Sequence, residues 1–279
     1  MTDVTVFMCA RNAEKYIGEA IDSVLAQSYK AFELLIVDDG STDSTLRIVQ
    51  QYDDPRMRCI RSNHDYIASL NKGLAEARGQ YIARMDADDI MHPDRLRIQH
   101  QIMETEPGID ICSCLVQRFG QQPPHPVMLP EELTGIIRHP LRKMLRGNFI
   151  HHSSVMLRQS FLQQTGLAYR NGYPYAEDYK LWAEACQHGG TLYIEPQILM
   201  YYRISGHQVS QHKQAEQKAS ARKIQDEIAL ALIHTDEHSQ TLLPLYSLMK
   251  QAQCERGMTL TPALRYMETL LSHSQLNKS

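Results

Sequence analysis

The sequence predicts an α/β fold in which a mostly parallel central sheet is flanked by helices and followed by a C-terminal helical extension. Three observations carry this reading. Short apolar runs alternate with segments whose apolar residues recur three and four positions apart. The junctions between them are rich in Gly, Asp, Ser and Asn, the residues that cap helices and make turns. From about residue 211 the composition shifts to Gln, Lys, Glu, Ala and Leu. Strand followed by helix in this rhythm implies parallel strands joined by helical crossovers.

The elements follow in order. VTVFMCA (4–10) reads as the first strand. Tyr16, Ile17, Ala20, Ile21, Val24 and Leu25 then mark one apolar helix face. FELLIVD (32–38) is the second strand, GSTDST (40–45) a turn of capping residues, and LRIVQQY a helix. MRCI (57–60) is a third strand. IASLNKGLAEAR (67–78) is a helix with Gly79 as its C′ residue, and QYIARM (80–85) is the fourth strand. Pro93 to Glu106 reads as a helix with proline near its start. IDICSCLVQRF (109–119) is a long strand, and the prolines of GQQPPHPVMLP (120–130) make it a loop. Residues 131–147 read as one or two helices, IHHSSVML (150–157) as a strand and 177–188 as an amphipathic helix. TLYIEPQILMYYRI (191–204) is extended and broken at Pro196; two or three helices follow, packed on the domain or on a partner.

Composition narrows the function classes. A chain of 279 residues that is 43% hydrophobic can build one large α/β domain plus an appendage. A net charge of −3 argues against a nucleic-acid binder. Six cysteines fall mostly in apolar runs and read as reduced thiols. Cys112 and Cys114 read as plain strand residues, because no second ligand pair accompanies them. The opening MTDVTVFMCA lacks a basic lead-in and a cleavage site, so no secretory leader is expected. No apolar stretch approaches the roughly 20 residues that span a bilayer. The expectation is a cytoplasmic protein, at most peripheral to the inner face of the cytoplasmic membrane.

The chemistry begins at RMDADD (84–89), where three carboxylates crowd the end of a buried strand. Ligands of open α/β sheets bind beyond the carboxyl ends of the strands. VDDGS (37–41) ends the second strand in the same way, so both acid clusters belong on one sheet edge. Asp86 and Asp88 form a D-x-D pair suited to a hard divalent cation, Mg²⁺ or Mn²⁺. A nucleotide diphosphate would complete the cation's shell and offset the acids. The plainer alternative is helix capping, above all for Asp89 and Asp94.

Five segments in order carry a resemblance. They are RNAEKYIGEAIDSVLAQSYKAFELLIVDDGSTDST, NHDYIASLNKGLAEARGQYIARMDADDIMHPDRL, IHHSSVMLR, YPYAEDYKLWAEA and YYRISGHQVS. Together they resemble the family-2 inverting glycosyltransferases with the GT-A fold, of the type that builds bacterial surface polysaccharide. The resemblance implies a domain over 1–210, with 1–106 as nucleotide-binding half and 107–210 as acceptor-side half, and a helical extension over 211–279. It implies a UDP-sugar donor, with Asp39 accepting from the uracil ring and Asp38 bracing the loop. Cys9, Arg11, Asn63, Asn71 and Asp86 would also line the nucleotide site. Asp88 would be the direct metal ligand, with Asp86 near the ribose or metal and His207 closing over the diphosphate and able to ligate the metal. Asp178 matches the base that deprotonates the acceptor hydroxyl, which gives inversion and a β linkage. Glu177 and His152 would face the acceptor, whereas His151 and His152 are equally open to a structural role. Two acids at a helix N-terminus are also favourable on electrostatic grounds alone.

Two departures stand out. CARN replaces the family's usual Pro-x-Tyr-Asn, and NHD puts Asp65 where glycine is common, which loosens the assignment of Asn63. The sole tryptophan, Trp182, reads as a packing anchor rather than a sugar platform. IIRHPLRKMLRGNF (136–149) sets Arg138, Arg142, Lys143 and Arg146 among apolar residues. Such a segment suits an anionic membrane or a lipid diphosphate, or is a solvated helix face. The expected acceptor is a glycan or an undecaprenyl-diphosphate-linked glycan, and a homo-oligomer is compatible with the tail. A nucleotidyltransferase would need a Gly-rich phosphate loop, and a dehydrogenase G-x-G-x-x-G; neither is present. The alternative from another class is a non-catalytic sugar-nucleotide-binding or assembly protein that uses the tail as its interaction surface.

Overall fold

The computed structural model describes residues 2–121, 123–205, 213–234, 243–244, 246–248 and 251. Four strands open the chain: β1 (Val4–Ala10), β2 (Phe32–Asp38), β3 (Met57–Arg61) and β4 (Tyr81–Asp86). Helices α1 (Ile17–Leu25), α2 (Thr45–Val49) and α3 (Tyr66–Glu76) join them. Next come β5 (Ile90–Met91), α4 (Arg95–Thr105), β6 (Ile111–Gly120), β7 (His125–Val127) and β8 (Gly135–Ile136). Then come α5 (Pro140–Met144), β9 (Met156–Arg158), α6 (Gln159–Thr165), α7 (Glu177–Gln187), β10 (Leu192–Ile204) and a long helix, here α8 (Gln214–His234).

The strands form one sheet in the order β3-β2-β1-β4-β9-β6-β10-β5, with β7 paired to β6 and β8 to β10. β3, β2, β1 and β4 are parallel. β9 runs against both β4 and β6, so β6 and its parallel neighbour β10 point the same way as β1 to β4. The mostly parallel sheet of the sequence reading is therefore present, with β9 reversed near its middle and the short β5, β7 and β8 reversed against β10 or β6.

Alternation along β1 sorts its side chains between two cores. Phe7 and Cys9 face a cluster shared with α3, α7 and α8. Val4, Val6, Met8 and Ala10 face one built with α1 and α4. On α1 the predicted face is inside, with Ile17, Ala20, Ile21 and Val24 buried. Trp182 is fully buried in the first cluster, which is the anchor role expected of it. The five cysteines among the described residues are all free thiols. Among the described residues no helix is long and apolar enough to cross a membrane.

Several boundaries differ from expectation, each for a physical reason. α3 ends at Glu76, and Ala77 is extended, so Gly79 is no C′ residue. Gly79 instead lets two backbones touch: a Cβ there would lie 2.5 Å from Thr5 N and 2.7 Å from the Val4 carbonyl carbon. Gly79→Ala is expected to cost about 1–3 kcal/mol by overpacking. The check is a melting curve, where the variant should lose several degrees; an unchanged Tm would contradict this packing.

The loop over 120–130 contains the short strand β7, on which Pro126 lies, where an edge strand tolerates the missing donor. Residues 131–147 hold a 3₁₀ turn (Glu131–Leu133), the two-residue β8 and the five-residue α5 rather than long helices. His139 sits at φ 51° before α5 and breaks any continuous amphipathic helix over 136–149. The HHSS run is a 3₁₀ turn (His152–Ser154), and only Met156–Arg158 form the strand. α6 follows at once, a helix absent from the sequence reading. β10 runs through Pro196 without a break; its register against β6 shifts between Glu195 and Ile198, so the strand bulges around the proline.

Candidate active site

The sheet's carboxyl edge collects the acids. In register, Ala10 pairs with Asp38 and Cys9 with Asp86, so the two acid clusters flank the tip of β1. A helix that precedes a parallel strand begins at that strand's carboxyl edge. α7 precedes β10, and its first two residues are Glu177 and Asp178. The Asp86 charge adds to the upward shifts of Asp88, Glu177 and Asp178, and together with Asp39 to that of Cys9.

Asp39 is buried, and its Oδ1 accepts from Asp65 N at 2.9 Å and Ser69 Oγ at 2.6 Å. Oδ2 takes no bond among the described residues and is left for a ligand. Asp65, the residue in place of glycine, is the N-cap of α3 and accepts from Ala68 N. It thereby links the helix start to Asp39. Asp38 Oδ1 accepts from Ser41 N, the bracing expected of it. Burial pushes the Cys9 thiol up to about 12, so Cys9 is neutral and offers its backbone only. Arg11 and Asn63 are exposed at the edge, and their side chains make no hydrogen bond among the described residues. Asn71 is turned elsewhere. Its amide accepts from Tyr169 N at 2.8 Å and donates to Tyr169 O at 3.0 Å. Its side-chain amide is thus committed to pinning the Tyr169 backbone.

Arg84 is the cation beneath the cluster. It is 1% exposed, and its Nη2 donates to Asp86 Oδ1 at 2.6 Å. Burial alone would raise the Asp86 carboxyl; Arg84 outweighs it, and the pKa is lowered. Asp88 lacks such a partner. Burial first, then the Asp86 charge, push its pKa up to about 6. Arg203 fixes the loop itself, with its Nε donating to Asp88 O and its N to Asp89 Oδ1. Asp89 thus ties the D-x-D loop to β10 and does not cap α4. Asp94 holds that N-cap position, but its carboxylate accepts from Ser28 and Arg97. Fully buried Arg95 secures the layer below by donating to Arg84 O and Val155 O.

On the far side, Asp178 Oδ2 accepts from Asn148 Nδ2 at 2.9 Å, and Oδ1 from Tyr179 N at 2.7 Å. Burial raises its pKa to about 6, and that of Glu177 to about 7 with help from Asp178. Both are half-buried: protein surrounds them, yet water reaches them. His152 Nε2 lies 2.7 Å from Tyr169 Oη, which leaves Nδ1 for a ligand. Burial, reinforced by Arg84, lowers its pKa to about 3, so His152 is neutral. His151 is likewise held neutral by burial, at about 4. His207 lies outside the described residues.

Among the described residues no three His, Cys, Asp or Glu side chains form a ready cation cage. A hard cation bound through one or two carboxylates and substrate phosphates needs none. With Asp86 Oδ1 held by Arg84, Asp86 Oδ2 and the Asp88 carboxylate remain as oxygen donors, a set that fits such an ion.

Sequence reasoning missed Arg84, Asn148 and Tyr169. Arg84 left a signal: it lies two residues before Asp86, hence on the same strand face, in an otherwise apolar run. Asn148 and Tyr169 left none, because loop geometry brings them in.

Residues 5–166 match Glycosyl transferase family 2. An uncharacterized glycosyltransferase of Haemophilus influenzae is 34% identical over 234 residues, covering 80% of this chain and 72% of that protein. The Escherichia coli UDP-Glc:alpha-D-GlcNAc-diphosphoundecaprenol beta-1,3-glucosyltransferase WfaP is 28% identical over 75% of this chain and 80% of its own. Residues 1–349 of S. aureus TarS, solved with UDP-GlcNAc, superpose with a TM-score of 0.67 at 17% identity, over 86% of this chain and 69% of that one. That likeness shows the fold, which is the GT-A type. With the matched residues spanning more than half of the sequence, the chain belongs to glycosyl transferase family 2.

Proposed function

We propose that the protein is an inverting glycosyltransferase that moves a sugar from a UDP-sugar to a glycan or lipid-linked glycan in bacterial surface-polysaccharide synthesis. The observation that carries this is Asp178: a half-buried carboxylate in the first turn of α7, oriented by Asn148 Nδ2 and Tyr179 N and near enough to Asp86 to feel its charge. The names of WfaP and of the TarS complex support the donor class, and WfaP supports a diphosphate-linked acceptor.

The residues divide the work as follows. Asp39 Oδ2 accepts from the imide N–H of uracil, which favours uridine over adenosine. Asp88, with Asp86 Oδ2, is the seat for Mn²⁺ or Mg²⁺, and when bound that ion neutralises charge on the departing diphosphate. Asp178 takes the proton of the acceptor hydroxyl as it attacks the anomeric carbon from the side opposite UDP. Displacement from that side inverts the centre and gives a β linkage from an α-linked donor. Asn148 fixes the carboxylate's orientation, and Glu177 and His152 Nδ1 face the acceptor. The nucleotide half is 1–106, the acceptor half 107–210. Arg138 and Arg146 are both exposed, and in this reading they would meet an anionic membrane surface at the inner face.

The test is release of UDP from UDP-sugars in the presence of Mn²⁺. Slow hydrolysis without acceptor is expected; no release from any UDP-sugar would favour a non-catalytic binding protein. A pH profile adds a second check. The base works ionised, and burial holds its pKa at about 6. Therefore kcat/KM, which reports the free enzyme, should fall as pH drops below about 6. A flat profile from about pH 5 to 8 would contradict Asp178 as the base.

A further inference from the structure

The extension is more than an appendage. α8 lies beyond the residues matched to the family, and its buried face (Ile224, Ile228, Ala229 and Ile233) joins the core that holds α7. Its polar contacts concentrate on the two segments that aim Asp178. The first is the turn just before α7. Gln217 Nε2 donates to Tyr175 O at 2.9 Å, Ser220 Oγ to Pro174 O at 2.9 Å, and Lys223 Nζ to Gly172 O at 3.4 Å. Tyr175 is left-handed at φ 62°, a strained conformation for a non-glycine residue that persists only when its surroundings hold it. The second segment leads to Asn148: Gln225 Nε2 donates to Leu145 O at 3.0 Å. Glu227 adds a clamp on α7 itself, accepting from Lys180 Nζ at 2.7 Å and from Tyr173 Oη at 2.6 Å.

We propose that α8 is an intramolecular brace for the catalytic base, with Gln217, Ser220 and Gln225 as positioning residues that act on Asp178 through the Gly172–Ala176 turn and the Leu145–Asn148 segment. The proposal rests on the reading of Asp178 as base. None of the three side chains touches substrate. They hold a strained turn and a loop from behind, so that the carboxylate and its Asn148 partner keep their geometry. Misplacement of a base by a fraction of an ångström lowers the chemical step and leaves the nucleotide pocket, on the other half of the sheet, as it was.

The experiment uses the full-length chain carrying Gln217→Ala, Ser220→Ala and Gln225→Ala together. UDP release from the best UDP-sugar with Mn²⁺ gives kcat and KM, calorimetry gives UDP affinity, and a melting curve reports folding. The expected result is a loss of about tenfold in kcat, with KM and UDP affinity unchanged. Added to Asp178→Asn, the same substitutions should cause little further loss, because they act through that residue. A folded triple variant with wild-type kcat would overturn the brace, as would an equal loss in both backgrounds. If the triple variant does not fold, Gln225→Ala alone is carried through the same comparison and judged by the same outcomes. An Asp178→Asn protein that keeps full activity would instead sink the base assignment, which separates the two failures.

Discussion

Asp178→Asn is expected to lower turnover by about 10²- to 10⁴-fold, the range of a lost general base, while UDP affinity stays as it was. The amide is isosteric and keeps the bond from Tyr179 N, but it meets the Asn148 amide donor to donor, because Asn148 Oδ1 is held by Ile150 N. It also loses the capacity to accept a proton. The residue lies at the start of α7 and in the proposed reading serves the acceptor, whereas the groups proposed for the nucleotide lie at the ends of β1, β2 and β4. Removing its charge should therefore leave uridine recognition alone, and calorimetric titration with UDP checks that. Full turnover in the variant would remove the base from the account. Equal loss of turnover and UDP affinity would mean that Asp178 acts on binding.

The second large effect is expected at Asp88. Asp88→Ala should reduce UDP affinity in the presence of Mn²⁺ by about 100-fold, to the level seen without the ion. Asp86 is already compensated, because Arg84 stands 2.6 Å from its Oδ1. Asp88 is not, and burial beside the Asp86 charge pushes its pKa up. An uncompensated carboxylate next to another favours a cation, and the cation in turn draws the diphosphate. Calorimetry with and without Mn²⁺ measures the difference. An affinity in the variant that still rises with Mn²⁺ would place the metal elsewhere.

How much of this was legible in the residues depends on how local the cause is. β1 and β2 can be read to the residue, because each is an apolar run closed by a polar turn. The placement of Asp38 and Asp86 on one edge follows from parallel topology and the strand ends alone. α7 and the acids of its first turn are legible for the same local reason. The middle of the chain is not. β9 is three residues long and reversed, and its partners β4 and β6 are remote in sequence. Nothing in HHSSVML marks where the 3₁₀ turn gives way to the strand. The commitment of Asn71 to the Tyr169 backbone joins residues 98 positions apart. A resemblance carries a residue's position but not the partner its side chain finds. The brace on α8 depends on carbonyls of a turn that only the folded chain presents.

The central claim is that one cleft at the sheet's carboxyl edge holds the nucleotide, the cation and the base. A crystal of the protein soaked with UDP and Mn²⁺ tests it most directly. The account predicts uracil on Asp39, an anomalous manganese peak bonded to Asp88 and the diphosphate, and Asp178 across an open gap from the β-phosphate. Uridine or manganese bound away from these three aspartates would contradict it.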